Sequence, residues 1–231
     1  MKTKKLKNLV KKARAELSWP ALEKKQEAGP LRIFSDPMAR NHTIYLPADS
    51  QATGQVPELL FLHEFGHALL SERVHPFFSS GFPITGLDKQ LLPAVSPVLN
   101  AASDWFVGQW LMEFCPDVAL DELRQEYEAT AALMDKGETP GVDKFFAAVL
   151  IIAQSIRYLK VPVACEGFLD AAVKAFLSVA PEKPSLDKLE ALINSLLALG
   201  APYRCRRVNS EGLEVLEFYR VAEMAGAPGG Q

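Results

Sequence analysis

The spacing of apolar residues changes several times along this chain, and each change marks an element. Over residues 1–28, Leu6, Leu9, Val10 and Ala13 recur at helical spacing among Lys2, Lys4, Lys5, Lys7, Lys11, Lys12 and Arg14, which predicts a basic amphipathic helical segment. Two short runs of strand type follow at 31–34 and 42–46, separated by turn-rich Ser35-Asp36-Pro37 and Ala39-Arg40-Asn41. From Leu59 to Leu70 the chain is apolar on nearly every side. Pro57 and Glu58 suit the first turn of a helix there, and Pro76 lies beyond its end, so a largely buried helix is expected.

Residues 75–93 are rich in proline, glycine and serine and read as a long loop, of the kind that lines or covers a cleft. A second apolar helix is predicted to begin at Ser96, with Ser96 as its cap and Pro97 in its first turn, and to stop before Pro116. The remainder is patterned for helices at 117–136, closed by Gly137, then 142–159, 166–179 and 185–199, closed by Gly200. Residues 203–208 and 213–221 flank Asn209-Ser-Glu-Gly212, a hairpin signal, and 225–231 reads as a flexible tail. There is no internal repeat. The expected class is α+β, predominantly α.

Composition narrows the field. With 231 residues, 48% of them hydrophobic, a sizeable core is available to one domain or two small ones. The net charge of −3 gives no global case for nucleic-acid binding. Cys115, Cys165 and Cys205 are odd in number and lack zinc-site spacing, so they predict free thiols in a reducing compartment. No apolar segment follows the basic start, and no run is long enough to span a bilayer, which together predict a cytoplasmic protein.

The chemistry concentrates in His63-Glu64-Phe65-Gly66-His67, which uses two of the four histidines. Residues i and i+4 share a helix face, so both imidazoles can reach one metal ion, with Glu64 beside them to carry a proton. A catalytic zinc takes three protein ligands and keeps one position open. The best candidates for the third are Asp104 and Asn100, again at i, i+4, on an otherwise apolar helix where a buried polar pair needs a reason. Asp104 is the better ligand because a carboxylate brings charge; Asn100 is the alternative or the helper. Glu72, His75, Asp88 and Glu113 are weaker candidates, and Tyr45, His75 and Tyr127 are the available oxyanion donors.

With these motifs the chain resembles the zincin metallopeptidases. Within them it is similar to minimal gluzincins, which follow the His-Glu-x-x-His helix with a second helix carrying Glu-x-x-x-Asp. The stretch from Ser103 to Met112 resembles that second helix in small phage-repressor-cleaving peptidases. Asn100 stands where the glutamate would be; an Asn-x-x-x-Asp form also occurs in metallopeptidases that precede von Willebrand-like domains. The likeness covers about 70 residues, from Thr43 to Met112.

The resemblance implies a zincin-like catalytic domain over 29–136, with Zn2+ held by His63 and His67 and with Glu64 as general base and then acid. In the gluzincins the second-motif glutamate binds zinc and the aspartate orients a ligand histidine. Here, then, either Asp104 is itself the third ligand with Asn100 assisting, or Asn100 binds through its amide oxygen with Asp104 behind a histidine. The resemblance also implies an edge strand that holds a peptide or protein substrate by strand addition, for which Thr43, Ile44 and Tyr45 are the candidates, with His75 as a further substrate contact. The C-terminal part, 137–224, has an order similar to a winged-helix module, with 186–199 in the recognition position and Arg204, Arg206 and Arg207 on the wing. Asp187 and Glu190 on that helix argue against nucleic acid. The function expected is zinc-dependent peptide hydrolysis. The alternative is a non-catalytic zincin-like binding or regulatory protein, one that could carry a DNA-binding C-terminus.

Overall fold

The computed structural model describes residues 2–47, 57–79, 84–134, 141–210 and 212–221. The expected tail and the expected helix end at Lys136 and Gly137 lie outside them. The order is α1 (Lys2–Ala15), β1 (Ala21–Lys25), β2 (Arg32–Asp36), β3 (Asn41–Leu46), α2 (Glu58–Arg73), β4 (Ile84–Thr85), α3 (Leu92–Phe114), α4 (Pro116–Met134), α5 (Val142–Gln154), α6 (Gly167–Leu177), α7 (Leu186–Leu197), β5 (Tyr203–Ser210) and β6 (Leu213–Arg220). The chain is therefore α+β and mainly helical, with two small sheets. No helix among the described residues is long and apolar enough to cross a membrane.

The chain forms two compact units that interleave along the sequence. The first comprises Met1–Phe82, Phe106–Ala119 and Pro184–Leu186; the second comprises Pro83–Trp105, Leu120–Lys183 and Asp187–Gln231.

In the first unit, helix and sheet share one core. Leu62, Phe65 and Ala68 of α2 pack with Ile33 of β2, Ile44 of β3 and Ala13 of α1, and Leu6, Leu9 and Val10 bring the apolar stripe of α1 onto the same cluster. The basic helix is thus docked by its apolar face. It is also shorter than the expected 1–28: it stops at Ala15, and β1 occupies part of the remainder. Pro20 explains the difference, since it offers no amide to a helix and biases Trp19 towards extended backbone.

The sheet order is β1-β3-β2, with β3 parallel to β1 and antiparallel to β2. Strand β3 is therefore the middle strand, which corrects the expectation of an edge at Thr43, Ile44 and Tyr45. Both of its backbone edges are bonded, so no substrate can add there. The edge reading failed because the helical pattern of the N-terminus concealed β1.

Helix α2 approaches α3 closely at Gly66, where an added Cβ would lie 2.8 Å from Val107 Cγ1 and 2.9 Å from Trp110 Cε3. Glycine costs a helix interior about 1 kcal/mol relative to alanine, and here it permits the approach. We expect Gly66→Ala to destabilise the protein by roughly 1–2 kcal/mol in thermal unfolding, because overpacking outweighs the gain in helix propensity.

Helix α3 begins at Leu92, one turn before the expected start. Ser96 is an interior residue whose hydroxyl donates back to the Leu92 carbonyl at 2.8 Å, and Pro97 lies inside the helix. Both Leu92-Pro93 and Ser96-Pro97 carry a first-turn signal; the earlier one prevails, with the Leu91 amide bonded to the Asp88 carbonyl at 2.9 Å just ahead of it.

The second unit packs Trp105, Val149, Ile152, Phe176, Leu192 and Ile193 at its centre, and the Trp105 indole donates to the Val179 carbonyl at 2.8 Å. The predicted hairpin forms as β5 and β6, with the Asn209 side chain accepting from the Gly212 amide at 3.0 Å. Its third strand, β4, pairs in parallel with β6. Gly86 follows β4 at φ +74°, where a Cβ would meet the Phe218 carbonyl oxygen at 2.1 Å, so only glycine fits.

Candidate metal centre

Helix α2 places its two histidines one turn apart on one face. Their Nε2 atoms are 3.2 Å apart. Two nitrogens on a tetrahedral zinc, each about 2.0–2.1 Å from the metal, are separated by about 3.3 Å. The spacing therefore suits a shared cation. The Asp104 carboxylate joins them: one ligand atom from each of His63, His67 and Asp104 lies within 4.8 Å of the other two. Asp104 precedes Phe106 to Phe114 on the same helix, and Val107 and Trp110 of that stretch pack on Gly66. Asn100, one turn earlier, is exposed.

The tautomer of His67 follows from its neighbour. Its Nδ1 lies 2.7 Å from the Phe78 carbonyl oxygen. A carbonyl only accepts, so Nδ1 carries the hydrogen and a neutral His67 presents Nε2 as a lone pair. A carbonyl at this position is the usual outer partner of a metal-ligating histidine. His67 is 4% exposed and Glu64 7%. Glu64 Oε2 accepts the Ile33 amide of β2 at 2.8 Å, a hydrogen bond that fixes the carboxylate against the sheet edge. Two imidazoles and one carboxylate are a ligand set that zinc accepts in hydrolytic sites.

The weaker ligand candidates have other partners. Glu72 is buried with His42: their side chains are 3% and 0% exposed, and the His42 Nε2 to Glu72 Oε1 distance is 2.7 Å. Glu72 also accepts the Ser18 and Trp19 amides, each at 2.8 Å. Burial pushes its carboxyl up, but the His42 side chain and the two amides together outweigh burial and hold it below its ordinary value. His75 caps the 3₁₀ turn Pro76–Phe78, its Nδ1 accepting the Phe77 amide at 3.2 Å. Asp88 accepts the Gln90 amide, and Glu113 accepts from Gln109. Of the oxyanion candidates, Tyr45 is half-buried with the Arg32 guanidinium over its ring, and Tyr127 lies half-buried on α4.

The wing arginines are taken up within the second unit. Arg206 pairs with Glu217, Arg207 with Glu190 and Asp187, and Arg204 donates to the carbonyls of Ala201 and Tyr203. The same unit holds an apolar cavity of about 420 Å³ whose lining, from Leu91 and Val95 to Pro202 and Tyr203, includes no charged side chain. Apart from the Tyr203 phenol, that lining is apolar. The cysteines are free, and burial pushes the thiol pKa of Cys115 up to about 11 and that of Cys205 up to about 12, which disfavours their thiolates.

Residue-by-residue reading of the sequence missed Ser35, His42 and Ser79, the buried polar groups that join sheet and turn behind the histidines. Only His42 carried a signal, as a histidine on a short apolar strand. No protein-family model, curated protein or solved structure matches the chain.

Proposed function

We propose that this chain is a zinc-dependent peptidase of zincin type, with His63, His67 and Asp104 as the metal ligands and Glu64 as the group that moves the proton. The observation that carries the reading is that one ligand atom from each of His63, His67 and Asp104 lies within 4.8 Å of the others. Zinc, when bound, acidifies water and polarises a carbonyl. Glu64 then takes a proton from the attacking water as its oxygen adds to the peptide carbon. It returns that proton to the amine nitrogen as the C–N bond breaks. The Ile33 amide holds the carboxylate in one orientation for both transfers, and the Phe78 carbonyl keeps the Nε2 lone pair of His67 directed at the metal.

Titration of metal-free protein with zinc tests the ligand set. The wild type is expected to bind one equivalent. Asp104→Ala is expected to weaken binding by about 100-fold or more, a larger loss than removal of an outer partner causes, while Asn100→Ala leaves it unchanged. Wild-type protein that takes up no stoichiometric zinc would overturn the proposal. The non-catalytic alternative draws on the Asn at position 100 and on the engagement of Glu64 by a backbone amide; the Glu64 substitution discussed below separates the two.

A further inference from the structure

A buried line of polar groups runs behind the two histidines, and the proton transfers above do not use it. It starts at the Phe78 carbonyl, which holds His67 Nδ1. Ser79, the next residue, is 1% exposed, and its Oγ accepts the Ser35 amide of β2 at 3.0 Å. The Ser35 hydroxyl lies 2.9 Å from His42 Nδ1, and His42 Nε2 reaches Glu72. Trp19 stacks on the His42 ring with centroids 5.4 Å apart. The line leaves α2 at His67, crosses the turn and the sheet, and returns to α2 at Glu72.

We propose that Ser79 is a positioning residue for His67: its hydroxyl, anchored on the Ser35 amide, sets the Phe78–Ser79 peptide so that the Phe78 carbonyl fixes His67 with a bare Nε2. Two bonds within the turn act beside it: Phe78 N to His75 O at 3.0 Å, and Ser79 N to Pro76 O at 2.9 Å, which orients the Phe78–Ser79 peptide relative to the turn. The Phe78 ring packs edge-on to Phe106 with centroids 5.4 Å apart, which anchors the side chain. The Ser35–Ser79 bond ties this turn, and with it the Phe78 carbonyl, to the sheet, across 44 residues of chain. A carbonyl free to swing would let the imidazole flip or exchange tautomers, and outer partners of this kind carry roughly 10- to 100-fold in metal affinity. The purpose of this arrangement rests on the metal-site reading; its geometry does not.

The test uses the full chain, metal-free and at alkaline pH, with ¹⁵N-labelled imidazoles read by NMR, followed by zinc titration. In wild type, His67 is expected as the Nδ1–H tautomer. Ser79→Ala is expected to mix the tautomers and weaken zinc binding roughly 10- to 100-fold, whereas Ser79→Thr, which keeps the oxygen, restores both. A folded Ser79→Ala protein with the wild-type tautomer and unchanged zinc affinity overturns the proposal. If that variant does not fold, the wild type decides. An Nε2–H tautomer at His67, or a Ser35 amide exchanging as fast as an exposed one, overturns it; the Nδ1–H tautomer with a protected Ser35 amide supports it. A wild type that shows the expected tautomer and takes no zinc defeats the metal-site reading and leaves the positioning role standing.

Discussion

Replacing Glu64 with glutamine is expected to lower peptide hydrolysis by about 10²- to 10⁴-fold, the range that a positioned proton carrier contributes, with zinc content and folding unchanged. Glutamine has the same shape, and its amide oxygen can still accept the Ile33 amide that Glu64 now accepts at 2.8 Å. The Ile33 amide therefore keeps its acceptor. What glutamine cannot do is take a proton. Cleavage of a quenched fluorescent peptide library, with metal analysis on the same samples, gives the answer. A variant as active as wild type removes Glu64 from the reaction. Zinc-loaded wild type that cleaves nothing across the library favours the binding or regulatory alternative.

The largest stability effect is expected at Glu72. Its side chain is 3% exposed and takes the His42 imidazole and the amides of Ser18 and Trp19. Alanine leaves all three groups, the fully buried His42 imidazole among them, without that acceptor, and we expect a loss of about 3 kcal/mol in urea unfolding at neutral pH. Glutamine is expected to cost less, since one oxygen still accepts. The pH dependence has a definite sign. The folded carboxyl is held below its ordinary value of 4.5. The contribution of its charge is therefore complete above that value and is lost as pH falls through the lower, folded one. The stability gap between wild type and Glu72→Gln should narrow in the acid range, as pH falls through the folded carboxyl's lowered value. A gap that persists undiminished once the carboxyl is protonated would contradict the pairing.

Both experiments bear on α2, where the sequence is most legible. Helix α2 could be read because a run of apolar residues bounded by prolines has one compact solution, and the i, i+4 spacing of His63 and His67 places both on one face whatever packs around them. The C-terminal helices and the hairpin were legible for the same reason, since their periods and turn residues act over a few positions. Strand β1 was not. Lys24 and Lys25 continue a lysine-rich helical composition, and only pairing with β3 makes an extended strand the better state. The start of α3 was ambiguous because two prolines offered equivalent first turns, and local bonds around Asp88 and Leu91 decided between them.

By itself, then, the sequence determined the candidate ligands, the candidate proton carrier and the helix that presents them, because helical geometry fixes the relation between residues four apart. The tertiary structure alone decided which polar residue of α3 faces those histidines, which strand is an edge, and what holds His67. Those relations join atoms distant along the chain: His63, His67 and Asp104 fall in one group of possible ligands, and Ser79 reaches Ser35 across the sheet edge. No local spacing encodes contacts of that kind; burial and hydrogen-bond satisfaction select them when the elements close on a common core.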